Sequence, residues 1–378
     1  MEIRSVNELG DLSGVRVLVR TALNVPMEQG AVSDTFRLDR ALKTIEFLTA
    51  RGARVILASH RSETTGSLKP VFDYLKKKIA LVYVDDIAGV KAHAAALALK
   101  DGQSLMLENL RWDKGEKAND EHFVRELTSM ADMYVDDDFT TAHRPHASII
   151  GVPKFLPSYA GFQFLAELEG LTPALTPQSP SLAILGGKKL ETKVPLLQTL
   201  LKKYDHVFVG GALANDFFLA KGYEIGKSLA SGTDVASRLL NDSKILLPTE
   251  VSVATVDGRD DVQADNVGEG ETISDIAPRS IAALKPYIDK ARMILWNGPM
   301  GNFENGFREG TDILASFIAK AQGTKIVGGG DTLASIQDLG LEKDFTFVST
   351  AGGAMLDFLA NGTLPGIEAL ESSKATRS

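Results

Sequence analysis

The segment IVGGGDT, residues 326–332, sets three glycines between an apolar run and a helix-like stretch, LASIQDLG. Adjacent glycines let the backbone approach a phosphate and leave N–H groups at a helix N-terminus, where the macrodipole favours anions. Asp331 is expected to cap that helix. One carboxylate beside phosphates is also how a protein usually holds Mg2+, an ion that keeps most of its waters. A glycine turn with a capped helix explains this motif on structural grounds as well, but the pattern recurs. SLAILGGKKLETKV puts Gly186 and Gly187 after an apolar run, then Lys188, Lys189 and Lys193 before Pro195, which a helix tolerates only in its first turn. Lysines at a helix start oppose the macrodipole, and an anion between them removes the conflict. In TFVSTAGGAMLDFL, Gly352 and Gly353 again separate a strand-like run from a helical one. Three such turns in one region point to a polyphosphate.

Composition narrows the rest. At 378 residues the chain has room for two domains, each able to bury its own core. There are no cysteines, so disulfides, thiolate zinc sites and cysteine nucleophiles are excluded. A net charge of −8 argues against a general nucleic-acid surface, so anion binding must be local. The N-terminus lacks a signal-peptide core and no apolar run is long enough to span a bilayer, so the sequence reads as cytoplasmic, with no membrane partner.

Short β-branched or Leu-rich runs must carry these residues. VRVLVR, RVILASH, LVYVDD, SLMLENLR and MYVDDDF lie in the first half, and SLAILGG, HVFVGGALA, EVSVATV, MILWNGP, KIVGGGD and FTFVSTAGG in the second. Helical-period stretches such as LDRALKTIEFLTARG and VPLLQTLLKKY separate most of them. The alternation predicts an α/β protein with two parallel sheets, each buried on both faces. A helix at 161–171 running into a Pro/Thr/Ser segment reads as a linker between lobes at 1–160 and 172–363.

Ligands of open α/β sheets bind outside the carboxyl ends of the strands. There the first half offers Arg20, Asn24, Ser59, His60, Arg111, His143 and Arg144, with Arg37 in a nearby loop. The second offers the glycine turns plus Asn297 and Glu304. One lobe reads as an arginine basket and the other as a nucleotide cradle. Each residue also has a plain structural reading: surface ion pairs for the arginines, a satisfied strand-end histidine for His60, a turn at Asn24. HRPHAS lacks a third metal ligand. GYEIGKS is one residue short of a P-loop and follows a helical run, so it is set aside.

LENLRW, TAHRPHAS, ILGGKK with Lys193 following, GYEIGKSL, WNGPMGNFE, VGGGDT, STAGG and LPGIEAL together make the chain resemble the phosphoglycerate kinases over essentially its whole length. The resemblance implies two Rossmann-like lobes joined by a helix, with the tail 364–378 packing back on the N-terminal lobe. It implies a nucleotide site at Lys189, Lys193, Gly211, Asn297, Pro299, Glu304, Gly329, Gly330, Asp331 and Thr332. Glu304 would accept ribose hydroxyls, and Asp331 would hold Mg2+ on ATP or ADP. The acid's phosphate would be held by Arg37, His60, Arg111 and Arg144, with Asn24 near its carboxyl end.

The family's R-V-D-F-N reads RTALN here, placing Ala22 where an aspartate binds the substrate hydroxyl. Its S-H-L-G-R-P reads SHRSET, placing Glu63 where a phosphate-binding arginine is expected, with Arg61 the candidate substitute. Asp136 and Asp138 stand where the family usually has Asn and Ala, and Ala351 replaces the first glycine of its STAGG counterpart.

The implied reaction transfers a phosphoryl group between ATP and the carboxylate of 3-phosphoglycerate, giving ADP and 1,3-bisphosphoglycerate. A carboxylate with a pKa of about 4 is already ionised at neutral pH and needs no general base. The chemistry needs two anions held in line and the moving charge neutralised. Arg37 and Lys189 are the candidates for that neutralisation, with backbone donors at Gly330 and Gly353, in a monomer whose lobes close to exclude water. Ala22 and Glu63 keep open a related kinase for another small acid. A non-catalytic nucleotide-binding relative fits less well, since Arg37, Lys189, Lys193 and Asp331 are all present. A dinucleotide-dependent dehydrogenase fits least, with no G-x-G-x-x-G after any strand.

Overall fold

The computed structural model describes residues 3–61, 66–188, 190–232, 234–255 and 258–373. The chain divides into two compact units, one running to Leu168 and taking in the segment from Thr363, the other Glu169–Gly362.

In the first unit the apolar runs form a six-stranded sheet in the order Leu81–Tyr83, Ser104–Met106, Arg54–Ala58, Arg16–Thr21, Met133–Asp137, Ser158–Ala160. Every neighbouring pair is parallel. The central Arg16–Thr21 strand is buried along nearly its whole length, as a strand covered on both faces must be. Leu38, Leu42, Ile45 and Leu48 recur at helical spacing on Phe36–Thr49 and pack with Val17, Val19, Val55 and Leu57 in one core.

The second unit repeats the plan in the order Ile245–Leu246, His206–Val209, Ser181–Leu185, Met293–Asn297, Thr324–Gly328, Phe347–Ser349, again all parallel. The EVSVATV run departs from the expectation of a parallel strand. Glu250–Thr255 pairs antiparallel with Gly258–Gln263 and Thr272–Ile276 in a separate three-stranded sheet. The few residues between the first two strands are too short for a parallel crossover, and Gly258–Gln263 leaves acidic residues exposed that a sheet covered on both faces cannot hold.

In both sheets the chain starts at a central strand, builds one side, then crosses to the other. The switch points lie beside Arg16–Thr21 and between Ser181–Leu185 and Met293–Asn297, where such sheets bind ligands. The helix Phe162–Leu171 starts beside the first of these: Asp137 Oδ1 accepts from the Gln163 N–H at 2.8 Å, and Thr44 Oγ1 from the Phe162 N–H at 3.1 Å. The division between units falls inside this helix, between Leu168 and Glu169, rather than on either side of it. The helix Pro365–Glu371 belongs to the first unit, with the Gly366 N–H donating to Ala142 O at 2.8 Å.

Candidate functional site

At the switch point of the second unit, one lysine ties the strand ends together. Lys193, just before the helix Val194–Lys203, donates from Nζ to Gly186 O at 2.6 Å and to Asn297 Oδ1 at 3.0 Å. Asn297 Nδ2 in turn donates to Gly328 O at 3.1 Å. Burial pushes the Lys193 ammonium down to about 8. Among the described residues no carboxylate pairs with it, so this buried cation meets only neutral acceptors. That is an electrostatic setting an anion completes.

Gly211 sits at φ +59, and a Cβ there would come within 2.8 Å of Gly187 N and 2.9 Å of Pro299 O. This close approach forms one wall of a cavity of about 220 Å3 lined by Gly187, Gly211, Ala212, Pro299, Met300 and Asn305. Leu229, directly after the set-aside GYEIGKS, also lines it, while no residue of that segment itself does. A lining of glycine backbone and apolar side chains with a few polar edges suits a nucleobase.

The helix Gly330–Asp338 is capped by Gly329, at φ +111, with no side-chain cap. This corrects the expectation for Asp331, which lies in the first helical turn. Because Gly329 adopts the non-helical conformation itself, Asp331 is carried past the cap and its carboxylate faces Lys188 electrostatically. A glycine cap leaves the first N–H groups of the helix without a side-chain acceptor. Thr332 Oγ1, in the same turn, is buried with no hydrogen-bond partner among the described residues. Unclaimed donors beside a carboxylate fit a polyphosphate carrying its own divalent cation. The helix Gly353–Asn361 repeats the arrangement with Gly352 as its cap. Glu304, in the turn Phe303–Asn305, pairs with Lys188 at 2.7 Å, both side chains exposed. Lys189 lies outside the described residues.

The first unit gathers charge instead. Burial, then Arg144 and Arg20, lower the Arg111 guanidinium from its usual range. Burial, then Arg144, Arg111 and Arg20, push His146 down to about 4. Burial, followed by Arg20, holds His60 far below the usual imidazole range, and Arg111 and Arg144 add to the effect. Arg20, Arg111 and Arg144 thus lie within electrostatic reach of one another and of both histidines, a setting that suits an anion. Arg37 Nη1 donates to Asn24 O at 3.1 Å, which brings those two expected residues together. Arg61 Nη1 donates to Ser67 O at 3.3 Å, while Arg61 O accepts from Arg111 Nη1 at 3.3 Å. Ala22 is buried. Glu63 lies outside the described residues.

Asn109 was not anticipated. Its Oδ1 accepts from the backbone N–H groups of Arg61 and Arg111 at 3.0 and 3.1 Å, fixing both segments. An Asn before LRW carries the signature of a cap, which is the signal available in sequence. Arg20 differs from its expected place in the basket. It is wholly buried and donates from Nε to Ser148 Oγ at 3.1 Å, from Nη2 to His60 Nδ1 and Thr141 Oγ1 at 3.0 Å each, and from Nη1 to Asp138. A buried guanidinium needs a carboxylate, and Asp138 supplies it. Among the described residues no cluster of three or more His, Cys, Asp or Glu could hold a metal ion.

Comparison with known proteins follows the same lines. The phosphoglycerate kinase family profile matches residues 6–362. Phosphoglycerate kinase of Methylorubrum populi is 40% identical over 396 residues, covering 98% of this chain and 99% of that protein. The enzyme of Moorella thermoacetica is 42% identical over 381 residues, covering 95% and 97%. Among solved structures, phosphoglycerate kinase from Coxiella burnetii superposes with a TM-score of 0.86 at 37% identity, covering 99% of this chain and 100% of that one. That from Pyrococcus horikoshii gives 0.86 at 29%, covering 98% of each. The likeness takes in both units, and the protein belongs to the phosphoglycerate kinase family.

Proposed function

We propose that the protein transfers a phosphoryl group reversibly between ATP and the carboxylate of 3-phosphoglycerate, giving ADP and 1,3-bisphosphoglycerate, as a glycolytic kinase. The observation that carries this reading is the pair of unlike anion sites, one on each unit, in a chain of this family. The cavity beside Gly211 and Pro299 takes the base, and Glu304 leaves Lys188 to accept the ribose hydroxyls. Lys193, Asn297 and the N–H groups after Gly329 take the phosphates. Mg2+ held on those phosphates by Asp331 would supply positive charge to the phosphoryl group being transferred.

In the first unit, His60, Arg111 and Arg144 hold the phosphate of the acid and Asn24 its carboxyl end. Arg61 supplies the positive charge that Glu63 does not. Arg37 and Lys189 neutralise charge on the moving group, aided by backbone donors at Gly330 and Gly353. The substrate carboxylate attacks the terminal phosphorus, and the bond to the ADP oxygen breaks as the new acyl-phosphate bond forms. Closure of the lobes about the linker helix brings the two anions in line and excludes water. The protein is read as a cytoplasmic monomer acting on small molecules; no described helix is long and apolar enough to cross a membrane.

Phosphorus NMR of the protein with MgATP and 3-phosphoglycerate tests the reading. ADP and an acyl phosphate should appear in equal amounts. No turnover while MgADP still binds would overturn it in favour of a kinase for another small acid, the alternative that Ala22 and Glu63 keep open.

A further inference from the structure

Two of the departures from the family pattern are neighbours in space. Arg20 is in register with Asp136 and Thr21 with Asp137 on adjacent parallel strands, so Ala22 and Asp138 are the next residues past the two strand ends. A carboxylate is absent at one and present at the other, in the same layer of the sheet.

Asp138 is closed to substrate. Its buried carboxylate accepts from Arg20, from Thr140 Oγ1 at 2.5 Å and from Thr141 Oγ1 at 2.8 Å. Its hydrogen-bonded route to the basket runs through Arg20, whose Nη2 meets His60 Nδ1 at 3.0 Å. A guanidinium can only donate, so Nδ1 must accept and the ring proton resides on Nε2. His60 is thereby a neutral donor with a fixed tautomer in the midst of Arg111 and Arg144. Ser148 completes the frame, accepting from Arg20 Nε and donating to buried Glu116 Oε1 at 2.6 Å.

We propose that Asp138 is a positioning residue for acid-substrate binding: it keeps Arg20 paired and in place, and through Arg20 it presents His60 as an Nε2–H donor to the substrate's phosphate. In this chain it performs the charge balancing that a carboxylate at position 22 would otherwise provide. The inference rests on the proposed function above. Without Asp138, Arg20 is a buried charge lacking its partner, and the guanidinium no longer has reason to hold its present orientation.

The test combines kinetics with nitrogen NMR of the histidine ring, assigned with His60→Gln. In Asp138→Asn the KM for 3-phosphoglycerate should rise about tenfold, with kcat and the KM for ATP changed less than about twofold, as expected for lost ground-state binding. Adding Ala22→Asp to that variant should recover most of the loss, because the carboxylate returns to the same layer. The wild-type spectrum should show His60 protonated only on Nε2, and Asp138→Asn a mixture of tautomers. An unchanged KM in Asp138→Asn, or a wild-type proton on Nδ1, would overturn the inference; if the variant does not fold, the wild-type spectrum decides. Absence of wild-type turnover with 3-phosphoglycerate would sink the proposed function instead, and the ring spectrum would still judge Asp138.

Discussion

On the proposed reading, anion recognition in the Glu169–Gly362 unit falls mainly to backbone. Glycine-capped helices begin at Gly330 and Gly353, and Gly211 packs against Gly187 and Pro299 with no space for a Cβ. On the same reading it falls to side chains in the first unit, where Arg144 and Arg20 lower Arg111, Arg111 and Arg144 lower His60, and Arg20 is neutralised by Asp138. A site built largely from backbone is sensitive above all to added atoms. A side-chain site is sensitive to charge balance, so a carboxylate lost at one position can be offset at another. The sequence departures follow this division: Ala22, Glu63, Asp136 and Asp138 all fall on the first unit, and the only glycine-turn change named above, Ala351, sits outside the helix it precedes.

The largest expected effect comes from a residue placed at the transferring group. Arg37→Ala should lower kcat by about two to three orders of magnitude while the Kd for MgADP stays unchanged; a variant that loses only affinity would move Arg37 out of that role. Next is Gly211→Val. A β-branched residue at φ +59 is strained, and its Cβ would collide with Gly187 N and Pro299 O. The KM for ATP should rise at least about tenfold with that for 3-phosphoglycerate unaltered; equal changes in both would blur the distinction between the units.

A moderate effect should appear with pH. Burial lowers Lys193 from its ordinary 10.5 to about 8, so between about 8 and 10.5 the unfolded chain binds more protons than the folded one. Stability attributable to Lys193 therefore rises with pH across that window, since the cost of burying the charge is fully present below it. Nucleotide affinity should fall over the same range as the cation is lost. Lys193→Met should abolish both trends, which denaturation and MgADP titrations from pH 7.5 to 10 would read. The smallest effect belongs to Lys188 and Glu304, whose pair is exposed on both sides. Lys188→Ala should leave thermal stability within measurement error.

The parallel sheets, the strand-to-helix glycine turns and the helix at 162–171 were legible because each rests on local pattern: burial period, turn chemistry and strand length. The antiparallel Glu250–Thr255 strand was not, since an apolar run does not say which partner a tight reversal will supply. The roles of Arg20 and Asp138 were hidden for a different reason. They lie 118 residues apart in sequence, and only the parallel register of two strands brings guanidinium and carboxylate together. Asp331 was misplaced by two positions because Gly329 caps the helix without a side chain.

The claim that each unit carries its own anion is tested most directly by calorimetric titration of Arg111→Ala with 3-phosphoglycerate and, separately, with MgADP. The account predicts that acid binding is weakened at least about tenfold, the loss of one charge-assisted contact, with the Kd for MgADP unchanged. Equal weakening of both ligands, or undiminished binding of 3-phosphoglycerate, would contradict it.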